Sequence, residues 1–561
     1  MMRMNLKFLI LFLCITLVFV TFSVWIRCGG EITPFPKAYK GETIISKSQG
    51  LALTENSGLE EIDCHINGEY TVSCRREADE VYIPFSFIHK YFEIYGKLAK
   101  YDDTERFEWS HSYSKVYYPK GKYDPKGVFL YFENYNVELR ERVKCISGTE
   151  GVPISTQWEV QGYYYPTQIA QFGLSHYSKN LTEPEPRFKI IEDGSAHRAN
   201  WSGIVVRENG VVKFSSQAGG IITLNLDHVL DFIMSVDLQL SYKDNSSLVV
   251  VLQNREKFET WIIHYSCQAP MIFSQDAEVY YKINCEEGEW THLTRDLLVD
   301  LQKGLSIQNK PKKKFSRSKY KVTKIILEGQ GKLDNLTMAT SRHLDQFYAA
   351  ANWLVHHQDP ATGGWLNIVR RRWGPPGMKD LLPGWLSAMG QGHGISVLAR
   401  AYHTSRDPIY LKAGLEALRP FHTLSENGGV LAKFFGGYPW YEEYPTQPSS
   451  FVLNGFIYSL IGLYDLLTLA PKENRNEAKV LFEQGMESLK KLLTLYDSGS
   501  GSFYDLRHLS LGSAPNVARW DYHATHVNQL LLLATIDNST IISSTASRWI
   551  RYMSGKRAPH N

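Results

Sequence analysis

The chain has 561 residues, 43% of them hydrophobic, enough for more than one globular core. Its formal net charge of +3, from 61 Lys and Arg against 58 Asp and Glu, excludes the global basic footprint of a nucleic-acid-binding protein. Positive charge is local instead, in Lys310-Pro311-Lys312-Lys313-Lys314 and in the triplet Arg370-Arg371-Arg372.

Residues 8–26 carry only apolar and hydroxyl side chains, a stretch about long enough to span a bilayer. Arg3 and Lys7 precede it and no small-residue cleavage motif follows. The pattern predicts a signal anchor over 8–26 with a cytoplasmic tail over 1–7 and everything beyond Arg27 lumenal. Five N-x-S/T sequons, at Asn180, Asn200, Asn245, Asn335 and Asn538, suit that side of the membrane as glycosylation sites. Of the seven cysteines, Cys64 with Cys74 and Cys267 with Cys285 are possible pairs, although spacing assigns no connectivity. The chain contains neither CxxC nor HExxH, which leaves a zinc reading weak.

Residues 27–80 are mixed and weakly periodic, as a stem would be. From 81 to 185 short aromatic strands are expected, such as Gly127–Phe132, followed by a helix from Thr167. Residues 186–340 read as an antiparallel β-sandwich. Val205-Val206 and Val211-Val212 flank Asn209-Gly210, the strongest short hairpin signal. Further strands are expected at 233–240, 248–252, 261–264, 279–283 and 322–327. From 341 the period changes: Leu344, Phe347, Ala351 and Leu354 share one helical face. Helices are expected near 385–403, 408–420, 449–469, 474–495, 524–536 and 540–554. The fold class is therefore α+β multidomain: an amino-terminal β-hairpin region, an antiparallel β-sandwich or barrel, and a carboxy-terminal α/α partial barrel over 341–561.

Three polar clusters interrupt the helical part: Trp440-Tyr441-Glu442-Glu443-Tyr444-Pro445, Tyr504-Asp505-Leu506-Arg507-His508 and Arg519-Trp520-Asp521-Tyr522-His523. Aromatic faces stack on sugar rings, arginine pairs with a sugar carboxylate, and Tyr, Glu and His move protons. Arg507 either pairs with Asp505 or clamps an anionic sugar. Glu442 and Glu443, set among aromatic residues, would have raised pKa values in an apolar pocket. A tyrosine base near neutrality costs roughly 4 kcal/mol, whereas neutral tyrosine is a ready acid. A glycosidase would instead use Glu442 or Glu443 with Asp505 or Asp521. The chain has no GxSxG, no P-loop, and no GxGxxG following a strand, so a nicotinamide-dependent route is not indicated.

These clusters resemble those of the heparan sulfate/heparin D-glucuronyl C5-epimerase family. Residues 441–465, 495–502, 504–508 and 514–522 carry the likeness, with 107–117, 142–147 and 557–561. The resemblance implies inversion at C5 of glucuronic acid within the N-sulfated precursor polymer, giving iduronic acid. It assigns catalysis to Glu443, Tyr444, Tyr504 and Tyr522, with Arg507 on the uronate carboxylate; Glu443 and Tyr522 are the expected opposed acid/base pair. Asn454, Tyr458, Asn516, Arg519, Trp520 and His523 become expected substrate-lining residues, and Tyr113, Lys122, Arg372 and Trp373 secondary contacts. The loop 370–376 departs from the family's pattern. The resemblance further implies no cofactor for catalysis, a structural calcium with Thr182 and Asp334 as ligands, a homodimer, and a single-pass type II protein of the Golgi membrane. The polymer's other biosynthetic enzymes are candidate partners. Two rival readings are a uronate polysaccharide lyase on a similar scaffold and a non-catalytic glycan-binding membrane protein.

Overall fold

The computed structural model describes residues 59–89, 94–101, 104–111, 115–195, 199–216, 220–308, 315–374 and 376–559. The expected tail and anchor, most of the expected stem, and Tyr113 lie outside these residues. Among the described residues no helix is long and apolar enough to cross a membrane. The chain divides into two units, residues 1–92 and 93–561.

The first unit holds a small antiparallel sheet of Glu60–Ile66, Tyr70–Glu77 and Glu80–Tyr82 where the sequence suggested a stem. Asn67 (φ 51°) and Gly68 (φ 74°) make its first turn with two positive φ values, the geometry that favours Asn-Gly between strands. Cys64 and Cys74 are joined across that hairpin.

In the second unit, Ile94–Tyr101 and Thr104–His111 pair as an isolated hairpin. The segment 127–132 is not a strand. Leu130 has φ 53° and a 3-10 turn, Phe132–Asn134, follows; Phe129 and Phe132 are fully buried in the helical core. Burying two aromatic rings at i and i+3 outweighs the strand propensity of the string.

The β-sandwich is present. Its seven-stranded sheet runs Trp201–Ser202, Ile222–Val229, Tyr320–Glu328, Ser247–Asn254, Thr260–Ser266, Glu278–Lys282, Ile272–Gln275. The facing sheet is built on Gln330–Ala339, which pairs with Val211–Ser215, Ile233–Leu240 and Phe188–Glu192. Leu224, Val250, Leu252 and Ile325 from one sheet meet Val236, Leu238 and Leu333 from the other in one core. Asn209 (φ 53°) and Gly210 (φ 76°) form the expected turn, and Cys267 and Cys285 are bonded.

Eight helices matter for the site: α1 (Pro166–Thr182), α2 (His343–His356), α3 (Ala388–Ser405), α4 (Pro408–Glu416), α5 (Leu453–Leu469), α6 (Asn476–Leu492), α7 (Arg507–Leu511) and α8 (Trp520–Ile536), with Thr540–Met553 closing the chain. Pro166 starts α1 at a position where its missing N–H costs nothing. This helix lies inside the expected hairpin region, 81–185, but packs against α2 and α3, so it belongs to the helical core. Helix α5 is buried around most of its circumference. It touches α3 backbone to backbone, because a Cβ on Gly462 would stand 2.6 Å from Gly392 Cα. The expected starts at 385 and 449 move inward, to Ala388 and Leu453, whereas the one at 524 moves outward to Trp520 and extends its helix through Tyr522.

Candidate active site

Strands Leu431–Phe434 and Tyr438–Tyr441 pair in a hairpin that ends where Glu442 begins. Glu442 is locked in place: its N–H donates to Val430 O at 2.7 Å, and its carbonyl accepts from Ala388 N at 2.9 Å, at the start of α3. Its carboxylate accepts from Phe451 N (3.1 Å) and Ser450 Oγ (3.2 Å). Burial pushes its pKa up to about 8 against those hydrogen bonds. All its contacts are internal, which makes Glu442 an anchor for the loop.

Glu443 is 4% exposed and accepts from Asn454 Nδ2 (3.3 Å) in the first turn of α5. Burial pushes its pKa up to about 7, while the Arg371 guanidinium and Asn454 hold it down. A carboxyl poised near neutrality gives and takes protons with little penalty. Asn454 Oδ1 is buried without a hydrogen-bond partner.

Tyr504 and Tyr522 meet edge to face, with ring centroids 4.8 Å apart. Tyr504 is fixed by its backbone, donating to Asn516 O (2.8 Å) and accepting from Leu453 N (3.1 Å). Tyr522 lies in the first turn of α8. Burial raises both phenols and the Glu443 charge raises them further, so both stand as neutral acids. The first turns of α5 and α8 thus supply Asn454 and Tyr522 to this cluster.

Arg507 lies 3.4 Å from Asp505, a fully buried carboxylate that also accepts from Asn516 Nδ2 at 2.7 Å. Thus both alternatives for Arg507 begin from an existing ion pair. The triplet arginine that enters the cluster is Arg371. The segment is extended, with Arg371 bridged to Leu381, so alternate side chains face opposite ways. Arg370 pairs with Asp380 at the surface and Arg372 is exposed, while Arg371 and Trp373 turn inward. The Arg371 guanidinium is 3.3 Å from the Tyr444 ring centroid, 4.4 Å from that of Trp373 and 5.1 Å from that of Trp158. Tyr444 itself packs on Trp373, Trp385 and Trp158.

The cluster therefore unites Glu443, Tyr444, Tyr504, Tyr522, Arg507, Asn454, Asn516 and Trp373, and adds Arg371 and Trp158, which sequence reasoning did not select. Arg519 pairs with Asp521 (2.9 Å) beside the Tyr522 ring, and Trp520 is 40% exposed at the amino end of α8. Two expected lining residues are interior. His523 binds Ser502 Oγ (2.8 Å) and Trp549 O (3.0 Å), so both ring nitrogens are engaged. Tyr458 lies among Phe129, Phe132 and His393 and shares a side-chain hydrogen bond with Tyr135. Lys122 is exposed, next to Tyr123, whose hydroxyl donates to Asp465 (2.8 Å), roughly three turns along α5 from Asn454.

The two expected calcium ligands lie on different elements, Thr182 at the end of α1 and Asp334 in the strand Gln330–Ala339. Thr182 Oγ1 donates to Ser178 O within α1 at 3.1 Å, and Asp334 accepts from Asn335 N at 2.7 Å. Among the described residues no group of three or more His, Cys, Asp or Glu is arranged to hold a metal ion. All five sequon asparagines are exposed.

Comparisons with known proteins agree with the geometry. The D-glucuronyl C5-epimerase C-terminus model matches residues 358–551, and the D-glucuronyl C5-epimerase beta-sandwich domain model matches 208–330. A D-glucuronyl C5-epimerase of Caenorhabditis elegans is 39% identical over 569 aligned positions, covering 90% of this chain and 91% of that protein. An uncharacterized protein of Methanocaldococcus jannaschii is 31% identical over 157 residues, 28% of this chain and 47% of its own length. Among solved structures, a family 29 carbohydrate binding module is 10% identical and covers 29% of this chain and 96% of its own, with a TM-score of 0.18, too low to bear on the fold. With family models over both the sandwich and the helical part, and a relative aligned along nearly the whole length, the chain belongs to the D-glucuronyl C5-epimerase family.

Proposed function

We propose that the Glu443–Tyr522 cluster inverts C5 of D-glucuronyl residues within the N-sulfated heparan sulfate/heparin precursor, giving L-iduronyl residues. The C5 hydrogen is α to the carboxylate, so its removal leaves an enolate-like species that needs a nearby cation and a proton returned to the other face. Glu443, with a pKa about 7, suits one proton transfer. Tyr522, a neutral phenol beside it, suits the other. Because the reaction is reversible, the two exchange roles with direction. Tyr504 packs on Tyr522, Arg507 and Asn516 orient the carboxylate with Tyr444, and Arg519 and Trp520 line the entry for the polymer. The observation that carries this reading is the carboxyl of Glu443, buried, poised near neutrality and facing two phenols.

On the same reading the protein is a homodimer anchored in the Golgi membrane through residues 8–26, with its catalytic part lumenal, carrying glycans on the five exposed asparagines and working beside the polymer's other biosynthetic enzymes. Incubating the de-N-acetylated, N-sulfated precursor with the enzyme in heavy water tests the chemistry. Deuterium at C5 with unchanged chain length is expected. Chain cleavage with new ultraviolet absorbance would mean a lyase, and polymer binding without exchange would mean a glycan-binding protein.

A further inference from the structure

Arg371 stands apart from the other arginines near the cleft. Arg370, Arg507 and Arg519 each hold a carboxylate, on Asp380, Asp505 and Asp521. Arg371 instead sits over the Tyr444 ring and near those of Trp373 and Trp158, and its Nη1 is buried with no hydrogen-bond partner. A guanidinium withdrawn from water and left with an unused donor is costly, and a planar carboxylate is the group that satisfies its fork. Arg507 also approaches Trp373, at 6.0 Å, but its guanidinium already faces the Asp505 carboxylate at 3.4 Å.

We infer that Arg371 is a further catalytic residue, the cation that receives the uronate carboxylate and stabilises the charge that C5 deprotonation moves onto the sugar. The inference rests on the epimerase reading. In the step, the C5–H bond breaks and its proton joins the Glu443 carboxylate. The electron pair passes into the C5–C6 bond, so Glu443 goes from −1 to neutral as the uronate goes from −1 to −2. Tyr522 then breaks its O–H bond to deliver a proton to the other face of C5, and the uronate returns to −1. The resulting phenolate is reprotonated as Glu443 gives up its proton. Arg371 faces both the carboxylate that loses charge and the sugar that gains it, so total charge beside it stays constant. The groups facing Glu443 are Arg371, Tyr165 ahead of α1, Tyr504 and Asp505 ahead of α7, Tyr522 on α8, and its neighbour Glu442. Arg371 is the cation among them.

The test is the pH dependence of C5 hydrogen exchange in the full chain, with wild type, Arg371→Gln and Arg371→Lys, each checked by thermal melting. Arg371→Gln should lower kcat by about 10²–10³-fold, the usual effect of removing a transition-state charge partner. It should also move the acidic limb of kcat/KM to higher pH, because the charge that holds Glu443 down is gone. Arg371→Lys should keep the limb in place and lose at least about tenfold in kcat, since an ammonium lacks the planar fork. Polymer with its carboxyls reduced to alcohols should compete poorly with wild type and no worse than the native polymer with Arg371→Gln. A folded Arg371→Gln with wild-type kcat and an unmoved limb would overturn the inference and leave Arg371 as a prop for the Tyr444 ring. If that variant does not fold, Arg371→Lys decides alone: wild-type kcat overturns the inference, and a kcat loss with an unmoved limb supports it. Absence of exchange in wild type would overturn the epimerase reading itself.

Discussion

Glu443 rests on the bare backbone of Gly455: a Cβ built on that glycine falls 2.5 Å from Glu443 Cβ and 2.8 Å from its Cγ. The first turn of α5 thus leaves room for the acid/base carboxyl, and Asn454 in the same turn supplies its hydrogen bond. Gly455→Ala tests the fit. Alanine favours a helix by about 0.5–1 kcal/mol, but overpacking costs about 1–3 kcal/mol. The clash wins because both neighbouring atoms belong to a buried side chain. We expect net destabilisation of about 1–2 kcal/mol by denaturant unfolding and C5 exchange reduced at least about tenfold, as expected when a reacting group is displaced. Wild-type exchange in this variant would show that Glu443 does not need its present position.

Tyr522→Phe removes one phenol and keeps the ring that packs on Tyr504. If Tyr522 carries one of the two proton transfers, kcat should fall by about 10²–10⁴-fold. Polymer affinity should change little, since the aromatic surface remains. Retained exchange would transfer the role to Tyr504, whose Phe variant is the paired measurement.

Stability should depend on pH through the same carboxyls. The folded pKa of Glu443 is raised from 4.5 to about 7, so the folded protein binds more protons than the unfolded chain between those values. Its contribution is therefore fully present below about pH 4.5 and lost as pH rises through 7. The loss is roughly 3 kcal/mol at pH 8 relative to pH 4. Glu443→Gln, isosteric and always neutral, should be inactive yet more stable than wild type at pH 8, with the advantage vanishing near pH 4. Unfolding curves for the two proteins that stay parallel across this range would show that Glu443 is not desolvated as described.

What the sequence made legible was residue type and period. Asn209-Gly210 announces its turn because few other pairs accept two positive φ values, and the structure has φ 53° and 76° there. The three polar clusters stand out because tyrosine, glutamate and arginine collect where helices begin. Facing was harder to read. In Arg370-Arg371-Arg372 all three residues are alike, and only the bridge from Arg371 to Leu381 decides which one turns inward. Tyr458 shares the Asn454 face of α5 at i+4, yet Phe129 and Phe132, more than 300 residues earlier, cover it. Tyr522 and His523 are adjacent in sequence but about 100° apart around α8, so one joins Tyr504 and the other faces the interior. Trp158 comes from a loop with no periodic signal, and only its contacts with Tyr444 and Arg371 reveal it.

Ser502 ties the loop that carries Tyr504 to the helix that carries Tyr522. Its hydroxyl is 2.8 Å from both His523 Nδ1 and His526 Nδ1. Burial lowers the pKa of both imidazoles, so both are neutral. His523 Nε2–H donates to Trp549 O, which leaves its Nδ1 as an acceptor. Ser502 must then donate to His523 and accept from His526 Nδ1–H. Alanine at this position leaves one buried acceptor and one buried donor unsatisfied, at roughly 1–3 kcal/mol each. Ser502→Ala should therefore lose about 2–6 kcal/mol of stability, while Ser502→Thr, which keeps the hydroxyl, loses less. The same pair of variants should separate in C5 exchange, because His523 is bonded in sequence to Tyr522 and Ser502 lies two residues before Tyr504. Denaturant unfolding and exchange measured side by side check this; equal stability for the alanine and threonine variants would mean that the hydroxyl does not hold the two tyrosine-bearing elements together.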